Sequence, residues 1–476
     1  MSDHDLFRSP LVTRYASREM AELFGERHRV RTWREIWLAL AEAQRKAGLR
    51  ITQSQLQELR RTIDRIDFDR AAKHEKRLRH DVMAHVHAWG DLAPRARGVL
   101  HLGATSADIV DNADLMIMRD ALQLIAVWLA NAIDALAAFM EKYRSLPALG
   151  FTHYQPAQPT TVGKRAALWC ADFVRDLGEI DQRLRELRFR GIKGATGTQA
   201  SFLKLLRGDA RKVISLENEV ARSCGFDRIE PITGQTYSRK IDAQVVSTLG
   251  QIAASVHKFA NDIRLLSNLK EINEPFEESQ IGSSAMPYKR NPILCERATG
   301  LARFVISLVP SALQTAAEQW FERTLDDSAH KRLCIPEAFL ATEAMLRIVS
   351  HVARGLVVFP PMIAARLRAE LPSIATENIL MAATSAGGDR QELHERLRRH
   401  AIAAADRVKT EGVESDLLDR LKSDPAFANI ELDRVLDPVA YVGRAPEQVQ
   451  DFLRKIVTPI RRRYADDLGR EIELDV

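Results

Sequence analysis

The chain has 476 residues, 46% of them apolar and 28% charged, with 69 basic and 64 acidic side chains and a net charge of +5. That length exceeds what one core usually holds, so two or three domains of an ordinary soluble protein are expected. The charges are mixed along the chain, with no basic stripe beyond Arg461-Arg462-Arg463, which disfavours a nucleic-acid partner. The four cysteines, at 170, 224, 295 and 334, form no Cys-x-x-Cys pair. They suggest neither a disulfide framework nor a zinc site and fit a reducing, cytoplasmic setting.

The first 18 residues are charged and lack the apolar run of a signal peptide. Residues 1–105 read as short amphipathic helices. Their densest feature is Arg79-His80-Asp81-Val82-Met83-Ala84-His85-Val86-His87. Its histidines lack the i,i+4 spacing of a helical metal motif, so no metal is expected, and His85 and His87 read as structural. His101-Leu102-Gly103-Ala104-Thr105-Ser106 then leads into a long helix, with Ser106 placed as its N-cap. Such a start also suits a bound carboxylate.

The centre, residues 106–358, carries three long heptad patterns. In the first, Leu115, Leu122, Leu129, Leu136 and Tyr143 alternate with Met118, Ile125, Ala132 and Phe139. That span makes a helix of about 43 Å. Ala166, Phe173, Ile180 and Leu187 mark the second, and Val245, Ile252, Phe259 and Leu266 the third. Apolar residues off the seam, at Val127, Trp128, Ile133 and Met140, widen the face beyond a two-stranded coil. A homo-oligomer is therefore expected. The longest apolar run in the first pattern stops at Asn131, short of a membrane span.

Between the first two patterns, His153 sits in Gly150–Pro159, an irregular segment with two prolines. Gly194-Ala195-Thr196-Gly197-Thr198 lacks the ending of a phosphate-binding P-loop, and no dinucleotide fingerprint occurs, so no cofactor is expected. After the third pattern, Ile281-Gly282-Ser283-Ser284-Ala285-Met286-Pro287-Tyr288-Lys289-Arg290-Asn291-Pro292 gathers hydroxyls, cations and an amide on a Gly/Pro-punctuated loop. Asn291 and Pro292 read as the cap and first position of a new helix, whose N-terminus would favour an anion. Gln319–Arg332 is a second dense polar segment, in which Arg323, Ser328 and Arg332 suit a phosphate. Phe359-Pro360-Pro361 marks a boundary, and residues 359–476 read as shorter helices broken at Gly387-Gly388 and Asp437-Pro438. The fold class is all-α, in three helical domains.

The 281–292 string resembles the signature loop of the fumarase/aspartase superfamily. Within it the chain is most similar, over nearly its whole length, to the animal-type branch of the adenylosuccinate lyase family. The resemblance implies a β-elimination that releases fumarate from adenylosuccinate, leaving AMP, and from the succinyl-carboxamide ribotide of purine synthesis. It implies His153 as general acid, Ser283 as base, Lys289 as the cation that sustains a serine alkoxide, and Glu296 as the group that orients His153. Asn291 and Lys289 would stabilise the developing charge. Arg79, His80 and Asp81 would line the substrate site, Thr105 and Ser106 would hold a carboxylate, and Gln235 and Arg297 would add contacts. Arg14 and Tyr15 would join Arg323, Ser328 and Arg332 around the phosphate. It further implies a tetramer with sites shared between subunits. Argininosuccinate lyase or a non-catalytic relative are the alternatives.

Overall fold

The computed structural model describes residues 5–276, 280, 285, 286, 288–428, 430, 431 and 436–474. Five helices open the chain: α1 (Arg18–Leu23), α2 (Glu26–Lys46), α3 (Gln53–Thr62), α4 (Phe68–Leu78) and α5 (Asp81–Leu92). Asp67 caps α4 by accepting from Arg70 N at 2.9 Å, and Arg79 ends it in the left-handed conformation, φ 55°. That turn projects His80 and Asp81 sideways at the start of α5.

α6 (Ser106–Lys142) contains neither Gly nor Pro and runs for 37 residues, about 55 Å. Val30, Trp33, Trp37 and Leu40 of α2 recur on one face and are buried. A hairpin follows, β1 (Pro147–Thr152) and β2 (Gln155–Thr161), then α7 (Val162–Glu186), α8 (Ala200–Leu205) and α9 (Ala210–Ser223). α10 (Lys240–Asn268) and β3 (Ile272–Asn273) lead to α11 (Ile293–Ala317), α12 (Asp327–Gly355) and β4 (Val357–Val358). The bundle consists of α6, α7, α10, α11 and α12, which pack lengthwise on one another. The heptad positions face inward: Leu115, Leu122, Leu129, Leu136, Ile252, Val256 and Ile263 are all fully buried. Each such side chain contributes roughly 1.5–3 kcal/mol relative to exposure.

Two features differ from the sequence reading. α11 and α12 are as long as the heptad helices α7 and α10, but Pro310 and Pro336 lie inside them and interrupt the pattern. The Gly150–Pro159 segment is an antiparallel hairpin, with Phe151 opposite Pro156 and Thr152 opposite Gln155.

Helix direction defines two ends. The starts of α6, α10 and α12 meet at one, where Arg239 donates to Asp111 at 3.1 Å and to Asp327 at 2.5 Å. At the other end Gly163 N donates to Tyr143 O at 2.9 Å, and β3 pairs with β4. Here stand the hairpin, the end of α10 and the start of α11.

After α12, α13 (Pro360–Ile374), α14 (Thr376–Ser385), α15 (Arg390–Glu411) and α16 (Leu417–Ser423) follow. α14 to α16 enclose a separate small core of Ile379, Leu380, Leu393, Leu397, Leu421 and Phe427. The last segment returns to the bundle, where Val449, Val457 and Tyr464 join the main core. α6 and α11 are both long and apolar enough to cross a membrane by length and composition, more than the run ending at Asn131 suggests. In α6 the apolar window is 78% buried among its neighbours, whereas in α11 it is 22% buried. Among the described residues, α11 therefore carries an apolar face that is largely uncovered.

Candidate active site

A cavity of about 670 Å³ opens where α6, α10 and α12 begin. Arg79, His80, Asp81, Thr105, Ser106, Gln235, Arg323, Ser328 and Arg332 all line it, brought together from four separate stretches of sequence. Ser106 Oγ and His80 Nε2 share a hydrogen bond at 3.2 Å, and Arg332 donates to Asp81 at 2.9 Å. Arg323 donates to the Gln235 amide oxygen at 2.9 Å, and Gln235 N donates to Glu322 O at 3.0 Å. Gly234 is required beside it, because a Cβ there would meet Glu322 O at 2.6 Å. Three guanidinium groups and three hydroxyls thus face one space. Two of the guanidinium groups are already oriented by a neighbour, which suits a ligand with several anionic groups.

The N-cap of α6 is Thr105, one residue before the expected Ser106. Asp108 decides this by accepting from Thr105 N at 2.8 Å, which leaves the Ser106 hydroxyl to His80. The other oxygen of Asp108 accepts from Arg190, from Lys193 N and from Gly194 N, so the 191–194 loop is a brace and not a phosphate cradle. Deeper still, Lys331 donates to Asp111 at 3.1 Å and Asp114 at 2.6 Å, while Tyr237 donates to Asp242 at 2.6 Å. Burial pushes the Asp111 carboxyl up, but Lys331 and Arg239 outweigh it and hold it below the usual carboxylate range. Burial raises Asp242 to about 6, against the pull of Arg239 and Tyr237. Lys331, Asp111 and Glu75 line the cavity and were not singled out from sequence. The available signal was Asp108, Asp111, Asn112 and Asp114 crowded onto the first turns of an otherwise apolar helix.

His85 is buried between Trp33 and Phe68, and burial lowers its imidazole to about 4. His87 stacks on His74 at 5.4 Å. Among the described residues no group of three or more His, Cys, Asp or Glu side chains is placed to hold a metal.

The remaining candidates lie at the hairpin end. His153 and Tyr154 form the tip of the hairpin with φ 52° and 58°. Two left-handed residues are what a two-residue hairpin turn needs, and Asn-Gly usually supplies them. Placing His and Tyr there costs about 1 kcal/mol or more per residue. The expense fits a requirement for the side chains themselves. Lys289 N donates to Met286 O at 3.0 Å, and the Arg290 guanidinium lies over the Phe276 ring at 5.0 Å. Ser283 lies outside the described residues. Glu296, half exposed, faces Arg264 at 3.8 Å. Arg297 covers the Tyr15 ring at 5.8 Å, and neither Arg14 nor Tyr15 is among the residues that line the cavity with Arg323, Ser328 and Arg332 of the same chain.

The start of α11 also differs from expectation. The helix begins at Ile293 with Pro292 in the cap position, one residue later than the Asn291 cap read from sequence. Its free N–H groups are not open to a ligand: Glu274 accepts from Leu294 N at 3.0 Å and from Cys295 N at 2.9 Å.

Within one chain the two sets cannot meet. α6 alone sets Ser106 about 55 Å from Lys142. Tyr143–Leu146 and the six residues of β1 reach back at most about 35 Å. Even folded straight back, His153 would stop on the order of 20 Å short of Ser106.

Comparison with known proteins identifies the family. The family profile described as Lyase matches residues 19–307, and the one described as Adenylosuccinate lyase C-terminus matches residues 372–452. The chain is 50% identical over 463 residues to the adenylosuccinate lyase of Schizosaccharomyces pombe, covering 96% of each. It is 50% identical over 482 residues to that of Saccharomyces cerevisiae, covering 100% of each. Its fold is similar to the crystal structure of a 3-carboxy-cis,cis-muconate lactonizing enzyme from Pseudomonas putida, at a TM-score of 0.81 and 25% identity over 96% of this chain and 100% of that one. With both profiles matched in order and half of all positions shared with full-length relatives, the chain belongs to the adenylosuccinate lyase family within the fumarase/aspartase superfamily.

Proposed function

We propose that this carbon–nitrogen lyase eliminates fumarate from adenylosuccinate, leaving AMP, and from the succinyl-carboxamide ribotide in purine nucleotide synthesis. The observation that carries the reading is the convergence of Arg79, His80, Asp81, Thr105, Ser106, Gln235, Arg323, Ser328 and Arg332 on one cavity. Its cations and hydroxyls complement a phosphate and two carboxylates.

The reaction removes a proton from the carbon next to a carboxylate, so a second negative charge builds there. Stabilising that charge is the largest demand on the site. Lys289 and Asn291 supply a cation and an amide donor. Ser283 takes the proton, as an alkoxide sustained by Lys289. His153 protonates the departing nitrogen, with Glu296 orienting it. Arg323, Ser328 and Arg332 hold the phosphate, joined by Arg14 and Tyr15, and Arg297 adds a substrate contact.

Among them, the cavity residues and His153 stand at opposite ends of a bundle some 55 Å long. The reading therefore requires a homo-oligomer, of the tetrameric kind, in which one copy's cavity receives the hairpin and loop of others. The uncovered face of α11, including Ile306 at 41% and Leu313 at 52% exposure, suits a second copy as its cover. A cytoplasmic setting fits four free, buried cysteines.

The test is purified protein with adenylosuccinate, followed by absorbance and a mass measurement in solution. Fumarate and AMP released by an oligomer support the reading. Release from argininosuccinate instead, or full activity in a monomer, refutes it.

A further inference from the structure

We propose that Glu274 is a positioning residue for the elimination, fixing the first turn of α11 and with it Lys289, Asn291 and Glu296. This rests on the reading above that those three groups serve the reaction. Glu274 is 5% exposed, and each of its carboxylate oxygens accepts from a different backbone N–H of α11, Leu294 and Cys295. A carboxylate at a helix start is favourable, because the unpaired N–H groups and the helix dipole attract it. What is unusual is its origin. A local Ser or Asp would cap the helix equally well, yet Pro292 occupies the cap and offers no side-chain acceptor. The cap comes instead from 20 and 21 residues upstream, across residues 275–292.

A cap of that kind does two things at once. It ends the helix, and it clasps together the two ends of the segment that bears Lys289 and Asn291. The near side is itself held: Ile272 and Asn273 pair with Val358 and Val357, and Ser267 donates to Asn273 at 3.1 Å. A second clasp lies one step further out, where Arg290 covers Phe276 at 5.0 Å. Glu274 thus transfers the rigidity of the bundle to a segment whose cation and amide must meet a substrate bound largely by another copy. Reacting groups displaced by about 1 Å lose on the order of 100-fold in rate. The cavity cations at the opposite end are untouched by any change at this position.

The experiment uses the intact oligomer. Glu274→Gln keeps the volume and one acceptor but turns an amide N–H towards the second backbone N–H. We expect kcat to fall about 10- to 100-fold, with KM for adenylosuccinate and the affinity for AMP within about threefold of the parent protein. A variant deficient only in fold would lose assembly and AMP binding alongside rate. A correctly assembled Glu274→Gln oligomer with kcat within twofold of the parent overturns the proposal, as does a KM that rises in step with the loss of rate. Should that variant fail to assemble, Phe276→Leu opens the outer clasp without unpairing a buried polar group. A fall in kcat of about threefold or more at constant KM then supports the positioning role, and an unchanged kcat overturns it. If the parent protein releases no fumarate, the assignment of the reaction fails and this role fails with it. An active parent matched by an equally active Glu274→Gln sinks the positioning role alone.

Discussion

At the cavity end of the bundle, charged groups are paired out of water: Asp108 with Arg190, Asp111 with Arg239 and Lys331, Asp327 with Arg239. At the hairpin end, His153 and Tyr154 stand on a tip that faces solvent, and Glu296 shares an exposed ion pair with Arg264. The buried charges named at the cavity end find their partners within one chain. The hairpin end holds chemically able groups with nothing to act on. On the proposed reading, the contrast is that between a preorganised receptor and a reactive insert, which assembly of several copies would join.

The largest effect should come from the insert. His153→Ala and Ser283→Ala should each lower turnover by about 10²- to 10⁴-fold while leaving the oligomer intact. Mixing His153→Ala protomers with Arg323→Ala protomers, then allowing subunits to exchange, should, at substrate far below the raised KM, give turnover above that of either variant alone. Some sites would then draw every group from an intact partner. A mixture as inactive as its components would show that each site is built from one chain, and the division would be lost.

The receptor should respond in stability. Asp111→Asn leaves Arg239 and Lys331 short of a buried counter-charge and should cost about 3–5 kcal/mol in denaturant unfolding at fixed protein concentration. Glu296→Gln, at an exposed pair, should shift stability by less than about 0.5 kcal/mol. Equal losses in the two variants would erase the distinction between the ends.

Arg323→Ala should raise KM for adenylosuccinate roughly 10- to 100-fold with little change in kcat, since a charged hydrogen bond contributes about 1.5–3 kcal/mol. A fall confined to kcat would move Arg323 from binding to chemistry.

A separate, pH-dependent effect concerns Asp176 of α7, buried within the bundle. Burial raises its carboxyl to about 7, despite a hydrogen bond from Ser255. The folded protein therefore keeps a proton that the unfolded chain releases near pH 4. This contribution to stability is full below about pH 4 and declines as pH rises towards 7, by up to about 4 kcal/mol. Asp176→Asn should flatten that decline in thermal midpoints measured at several pH values. An unaltered pH profile would assign the titration to another group.

The heptad helices were legible in the sequence because their signal is local and repeats every turn or two. Leu115 to Leu136 announced α6 without reference to anything else. α11 and α12 were not, since Pro310 and Pro336 sit where a helix is usually taken to stop. The hairpin escaped notice for a similar reason: β2 holds Pro156 and Pro159, and proline argues against a strand. The types of residue at the site were readable as motifs. Their neighbours were not, because Asp111, Lys331 and Glu274 act through partners distant in the chain.

Residue chemistry and period, both short-range properties, were enough to read a long-helix bundle, and the resemblance of the 281–292 string added the lyase family. Tertiary structure alone decided that Arg323 and Ser106 share a cavity while His153 stands at the far end of the same bundle. That separation follows from helix direction and length, about 1.5 Å for every residue of α6, and no motif carries it.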